Sequence, residues 1–463
     1  QGDYGAGVGV AVIDTGVSPV HDLSHVVYGP DLSGDGNLVD RYGHGTVMAG
    51  IIAGDGADSA GSYTGVAPQS TVVAVKVAGA NGAVDVSTVL QGLEWVSAYA
   101  GQYGIRVLNL SWGVHSTQDP AYDPIDYAVE RLWHQGIVVV TAAGNAGPGP
   151  TTIVKPGDDP DVITVGAYDS GSGTIPAWSS RGPTAQGVAK PDLVAPGRTL
   201  VATRSFGSTV EGQNPDALVP PSYIKGSGTS QATAVTSGLV ALLLAARPDL
   251  GPDQVKYLLT QHARQVPGYG PSDEGAGLAQ LGPDVLRASA AGAPNQPFAA
   301  TGTGSLEASR GGVHVQATCN GTPTVIQGEM DVYCDPWDGV SWTGVSWTGV
   351  SWTGVSWTGV SWTGVSWTGV SWTGVSWTNA SWDGVSWTGG GWDGVSWTGA
   401  GWAGGSWAGV SWTGVSWTGV SWTGVSWTSA DADQALGTAF WGDHPRAGRH
   451  VPGETGGYRA AGA

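Results

Sequence analysis

From Trp337 to Trp427 a tryptophan stands at every fifth position, 19 in all, leaving five of the chain's 24 elsewhere. The unit is V-S-W-T-G. A five-residue period scatters around a helix axis, and a glycine in every unit opposes a helix. In an extended unit, alternation puts Val and Trp on one face and Ser and Thr on the other, with Gly free to turn the corner. The repeat over 336–428 therefore predicts a β-solenoid, apolar inside, each coil bonding to the last. Trp is kept in every unit, whereas Val gives way to Ala380, Gly390, Ala400 and Gly405. The substitutions at 380, 390 and 400, like Asp383 and Asp393, recur at ten-residue intervals. That rhythm favours two units per ten-residue coil, nine or ten coils and a rod of roughly 45 Å; Ala403, Gly405 and Ala408 break it. The competing reading is a low-complexity tail whose indoles grip glycans or cell-wall polymer. Segments 335–337 and 431–441 are candidate caps over end strands that otherwise pair with another chain.

The first 290 residues have a different texture. Short apolar runs at 7–13, 71–77, 106–110, 137–141 and 162–165 alternate with helical patterns at 86–99, 125–135 and 252–263. Runs apolar on both alternations suit strands buried on both faces of a parallel sheet. The expectation for 1–290 is an α/β fold, a doubly wound and mainly parallel sheet with active residues at the strands' carboxyl ends. Residues 291–335 read as a linker (293–304) and a small β unit, with strands at 312–317 and 324–333. Cys319 and Cys334 are a disulfide closing that unit in an exported protein, or two free thiols in a cytosolic one. Closing so short a loop contributes about 3 kcal/mol. Residues 429–463 are an acidic cap and a Gly-rich tail.

Composition excludes some functions. With 37 acidic against 18 basic residues the net charge is -19, which argues against nucleic acid and against anionic lipid as partners. No run of 18 apolar residues is present to span a bilayer.

Three short motifs carry chemistry. Gly9–Gly16 reads as a buried strand ending in Asp14; alone, that carboxylate could cap a turn. Gly43-His44-Gly45-Thr46 opens an apolar helical run through Ile52, where a lone His is more often structural. Gly228-Thr229-Ser230 precedes a helix, 231–246, apolar almost all round and therefore buried; Ser230 alone could be an N-cap.

At these residues the chain resembles the subtilisin-like serine peptidases. V-A-V-I-D-T-G-V, G-H-G-T, G-V-A-P-Q-S-T-V-V-A-V-K-V, V-V-V-T-A-A-G-N-A-G-P, S-S-R-G-P-T, K-P-D-L-V-A-P-G and S-G-T-S-Q-A-T-A match in family order. The resemblance implies that Ser230 is the nucleophile, His44 its base and Asp14 the group that orients the imidazole. It implies that Asn145 donates its side-chain amide to the oxyanion. Ser111, Trp112 and Gly113 with Ala142, Ala143 and Gly144 would bind a protein or peptide substrate as an added strand. Val154 would floor a specificity pocket with a medium-sized apolar preference. Departures from the family are Val47 in place of a second His, Gln231 in place of Met and Ala234 in place of Pro.

No cofactor is required by this chemistry. Asp31, Asp35, Asn37 and Asp40 have a spacing that could gather oxygen ligands for Ca²⁺, although acidic surface loops are commoner than metal sites. His21 and His25 flank Asp22, a weaker metal signal still. The chain opens at Gln1 without a signal peptide or inhibitory propeptide, as a self-matured product would. The expected protein is a secreted endopeptidase, extracellular or at the cell surface, whose repeat serves self-association or cell-envelope attachment. The alternative is a fibre or surface-layer subunit built on a peptidase fold.

Overall fold

The computed structural model describes residues 4–296 and 299–337 in full and, between 342 and 423, the backbone of seventeen short strands. The first seven strands are β1 (Gly9–Asp14), β2 (Val26–Asp31), β3 (Thr71–Lys76), β4 (Ile105–Leu110), β5 (Val138–Ala142), β6 (Ile163–Tyr168) and β7 (Leu193–Pro196). They form one parallel sheet in the order β2-β3-β1-β4-β5-β6-β7. Every residue of β1 is buried, as a central strand covered on both faces must be. β3 lies on one side of β1 and β4 on the other, so the strand order reverses at β1. The crevice of a doubly wound sheet opens beyond the carboxyl end of such a strand, here at Asp14.

Six of the nine α-helices among the described residues are α1 (His44–Ala53), α2 (Val86–Tyr103), α3 (Pro124–His134), α4 (Thr209–Gln213), α5 (Thr229–Ala246) and α6 (Pro252–Gln261). Local chemistry sets their ends. Asp85 accepts from Ser87 N at 2.8 Å and Asp123 from Ile125 N at 2.9 Å, each satisfying an amide that the first turn leaves orphaned. α5 is long and apolar enough to cross a membrane, but 67% of it is buried. It packs against α1 and strands β4 to β7, so its apolarity is that of a core helix.

The sequence reading missed β2 and β7. β2 is an edge strand, V-V-Y-G-P-D, only partly buried, and shows no apolar run. An antiparallel sheet of β8 (Leu200–Thr203), β9 (Leu218–Val219) and β10 (Tyr223–Gly226) was also unforeseen.

The core does not end at residue 290. Ala300, Leu306 and Trp337 belong to the same buried cluster as β1 and α5, so residues 299–337 strap onto the α/β body. The strap's hairpin pairs β11 (Gln316–Cys319) with β12 (Thr322–Val325), shorter than the expected 312–317 and 324–333. Asn320 and Gly321 have φ of 51° and 82°, the left-handed pair that a tight two-residue hairpin needs. Cys319 and Cys334 form a disulfide with Cα atoms 5.7 Å apart.

In the repeat, strands pair in parallel with the strand twenty residues on: Trp342 with Trp362, Trp347 with Trp367, Trp352 with Trp372 and Trp357 with Trp377. This gives four sheets of five, four, four and four strands. The expected ten-residue coil is therefore corrected to four units per turn of chain. Its ten-residue rhythm marks alternate sheets: the strands at Trp382 and Trp402 share one sheet, and that at Trp392 lies two sheets on. Five strands at about 4.8 Å spacing make a stack of about 20 Å, not 45 Å. The candidate cap at 431–441 and the tail lie outside the described residues.

Arg310 is fully buried on the strap. Its Nε donates to Asp85 Oδ2 at 2.7 Å, and other guanidinium nitrogens donate to the carbonyls of Gly328 and Met330. Removing one partner of a buried pair strands the other, at a cost of about 3–5 kcal/mol. Arg310→Met should lower stability by about that amount in urea unfolding, whereas a strap merely lying on the surface would lose almost nothing.

Candidate active site

Asp14 ends β1 and His44 begins α1. Both Asp14 oxygens contact His44 Nδ1, Oδ1 at 2.8 Å and Oδ2 at 2.9 Å. Close docking of α1 on β1 requires glycine at 45, because a Cβ there would lie 2.1 Å from Gly16 O. The Asp14 side chain is 5% exposed and that of His44 27%. Burial pulls the imidazole pKa down. The Asp14 charge and hydrogen bond, with a further push from the Asp40 charge, more than offset it, leaving His44 above its ordinary 6.5.

Asp40 fastens this arrangement. It is 0% exposed and its Oδ1 accepts from Thr15 Oγ1 at 2.8 Å and Gly43 N at 2.6 Å. Its Oδ2 accepts from Thr46 N at 2.8 Å and Thr46 Oγ1 at 2.7 Å. Burial raises its pKa, and these four bonds work against the rise.

The expected calcium cluster is therefore not gathered about one point. Asp40 is committed to the His44 loop, and a cation already holds Asp35 and the backbone of Asn37. Lys76 Nζ, on a side chain 1% exposed, donates to Asp35 Oδ2 at 2.9 Å, Asn37 O at 3.0 Å and Val39 O at 2.8 Å. Asp31 turns inward onto Ser33 and Asn37 N. The Lys76 ammonium thus binds part of the loop in which Ca²⁺ was expected. His21 Nδ1 meets Asp58 Oδ1 at 2.8 Å with Asp22 close by, and His25 takes no part.

Ser230 is the second residue of α5. Its Oγ donates to Ser111 O at 3.2 Å, and Ser111 Oγ donates back to Ser230 O at 3.0 Å. Ser111 also lines, with Asp14, His44, Tyr42, Val84 and Trp112, a cleft of about 170 Å³. Ser230 is thus tied to the wall of the cleft that holds the Asp14–His44 pair. Among the described residues its hydroxyl is not hydrogen-bonded to His44. Asn145 Oδ1 accepts from Thr229 N at 2.9 Å and Thr229 Oγ1 at 3.0 Å, which fixes the opposite, donating end of the amide. A Cβ built on Gly228 would lie 3.7 Å from both Asn145 Nδ2 and Ser230 N, so the two donors border one small space. Gln231 packs its amide over the same turn, since that Cβ would also meet Gln231 Oε1 at 2.7 Å.

Val154 sits between the two expected substrate segments. A Cβ on Gly113 would lie 2.3 Å from Val154 Cγ2, and one on Gly144 would lie 2.9 Å from Val154 Cγ1. Val154 N donates to Ala143 O at 3.1 Å. Next to it, buried Lys155 bonds Asp126 at 2.6 Å and Asp158 at 2.8 Å and pairs its backbone with Val114. The backbones of Trp112 and Gly113 make no hydrogen bond among the described residues. Sequence reasoning missed Asp40, Lys76, Thr229 and Lys155 as supports. Only Thr15 and Thr46, small hydroxyls beside Asp14 and His44, hinted that a buried acceptor was needed.

The sheet's switch point carries a carboxylate-held imidazole, and Ser230 at the start of α5 is bonded to Ser111 in the wall of the same cleft. The subtilase family, peptidase S8, matches residues 5–304, and the chain belongs to it. It is similar to serine protease AprX of Bacillus subtilis, 38% identical over 59% of this chain and 65% of that one. It is also similar to subtilisin DY of Bacillus licheniformis, 34% identical over 58% of this chain and 87% of that one. Among solved structures, the S41 psychrophilic protease is similar, at 27% identity and TM-score 0.50, covering 60% of this chain and 92% of that one.

Because the Asp14 charge raises the His44 pKa, any activity needing neutral His44 should fall away below a midpoint above 6.5. Asp14→Asn removes that charge and should move the midpoint of the kcat/KM acid limb down, while lowering kcat. A limb that stays put would separate His44 from the rate.

Proposed function

We propose that this subtilase is a secreted serine endopeptidase acting through an acyl-enzyme. The observation that carries the proposal is the two-oxygen hold of Asp14 on His44 Nδ1, at 2.8 and 2.9 Å, in the cleft to which Ser230 is tied. With Nδ1 engaged, Nε2 is the ring nitrogen left to take a proton. Substrate binding would swing Ser230 Oγ from Ser111 O to His44 Nε2; such bonds often tighten only in the complex. Ser230 Oγ then attacks the scissile carbonyl and His44 takes its proton. Asn145 Nδ2 and Ser230 N receive the oxyanion. His44 passes the proton to the leaving amine, and water repeats the sequence to free the acid. No step requires a cofactor.

The substrate is a polypeptide. The unbonded backbones of Trp112 and Gly113 offer an edge for strand addition, with Ala142, Ala143 and Gly144 opposite. Val154 closes the space between them, which favours a medium-sized apolar side chain. Val154→Phe should shift cleavage of a peptide series toward smaller residues at that subsite, and unaltered preference would remove Val154 from the pocket.

The four-sheet strand pairing supports reading 336–428 as a β-solenoid for self-association or cell-envelope attachment. On that reading the fibre or surface-layer role is an added property of the enzyme, outside the cell or on its surface. Electron microscopy of the full chain and of a chain ending after Trp337, which the core needs, should show assemblies only of the former.

A fluorophosphonate should label the protein once, at Ser230, and Ser230→Ala should abolish labelling and cleavage together. Asn145→Ala should cut kcat by about 10²–10³-fold, a magnitude carried over from subtilisin. Unchanged hydrolysis in Ser230→Ala would end the reading.

A further inference from the structure

A peptide in the candidate cleft touches two walls that come from different parts of the chain. Gly82 and Val84, in the connection from β3 to α2, line one side. Ser111 and Trp112, in the connection from β4 to α3, line the other. Among the described residues the two connections share no backbone hydrogen bond. The strap bonds to both.

On the first side the grip begins at Asp85, the neighbour of Val84. Arg310 donates to it from Nε at 2.7 Å and from Nη2 at 3.2 Å, while Asp85 Oδ1 also caps α2. Ser87 Oγ accepts from Val332 N at 2.9 Å, and Gln91 Oε1 accepts from the Tyr333 hydroxyl at 2.6 Å. On the second side Ser116 Oγ donates to Ala308 O at 2.7 Å. Gln118 Nε2 donates to Ser305 O at 3.0 Å and Ser309 Oγ at 3.1 Å, and its Oε1 accepts from Ser305 N at 2.9 Å. The approach is tightest at Gly311, where a Cβ would lie 1.6 Å from His115 O.

One short helix, Leu306–Arg310, therefore reaches both walls within a few residues. Its connector to Asp85 is stiff. A guanidinium presents its donors in a fixed planar fork, and Arg310 is held from behind by the carbonyls of Gly328 and Met330.

We propose that the strap sets the separation of the two cleft walls, with Arg310 as a positioning residue for polypeptide binding. The proposal rests on the endopeptidase reading and adds a determinant that bonds neither Ser230 nor His44. A hydrogen bond to an edge strand is about 2.9 Å long and is lost when the edge withdraws by about 1 Å. A long peptide feels that displacement, whereas an ester of a single amino acid, which does not span the walls, is insensitive to it.

The test compares the full chain with its Arg310→Met variant on a hexapeptide and on a single-residue ester. Circular dichroism first establishes that the variant is folded at the assay temperature. Arg310→Met should raise the peptide KM about tenfold, with kcat and ester hydrolysis within about twofold of the parent, the pattern of lost substrate binding. Fluorophosphonate labelling should be equally fast in both. His314→Ala, which breaks only the strap's exposed bond to Glu307, should change neither substrate. Where Arg310→Met does not fold, Ser116→Ala combined with Tyr333→Phe decides, because it gives up one bond on each side and strands no buried charge. It should show the same split at about threefold. An unchanged peptide KM in a folded variant, or equal losses on peptide and ester, would overturn the proposal and leave the endopeptidase reading standing. A parent chain that cleaves neither substrate would overturn both.

Discussion

Asp40 ties together two stretches of chain that must meet for anything else here to work. One of its oxygens holds Thr15, beside Asp14, and Gly43, beside His44; the other holds Thr46 in the first turn of α1. Four hydrogen bonds offset much of the cost of burying the charge. They also dock the start of α1 against the end of β1, where a carboxylate and an imidazole meet at bonding distance. The same logic recurs around the cleft. Lys76 gathers the acidic loop, Thr229 turns the Asn145 amide, and Lys155 with Asp126 and Asp158 anchors the segment that carries Val154.

The parts visible in the sequence were those with strong local signals. Buried parallel strands are apolar at every position, so β1, β3, β4, β5 and β6 stand out, and Asp85 announces α2; the Asp123 cap of α3 is visible only in the structure. β2 is hidden because an edge strand is half solvated, and the hairpin's true position is set by the left-handed Asn320-Gly321 pair rather than by apolar alternation. The Asp14, His44 and Ser230 motifs were legible because strand ends and helix starts have local grammar. Asp40 was not, because its acidic loop spells a calcium site equally well until Lys76, 41 positions after Asp35, is seen to fill it.

The tail tells a similar story at a larger scale. A change in composition near residue 291 suggested a domain break, but burial follows surface area rather than composition, and Leu306, Arg310 and Trp337 join the first core. In the repeat, the ten-residue rhythm falls on every second of the four sheets, because each strand pairs with the one twenty residues on. Periodicity in sequence fixes a submultiple of the structural period, and only backbone pairing fixes the period itself.

For the proposed chemistry, Ser230 Oγ, His44 and the donors on Asn145 and Ser230 N must converge on one reacting carbon. A crystal structure with a peptidyl boronic acid tests this most directly. The expected result is a tetrahedral boron bonded to Ser230 Oγ, with one boron oxygen about 2.7–3.1 Å from both Asn145 Nδ2 and Ser230 N, and His44 Nε2 hydrogen-bonded at the same centre. A boron bound to another residue, or an adduct on Ser230 whose oxygens point away from Asn145, would contradict it.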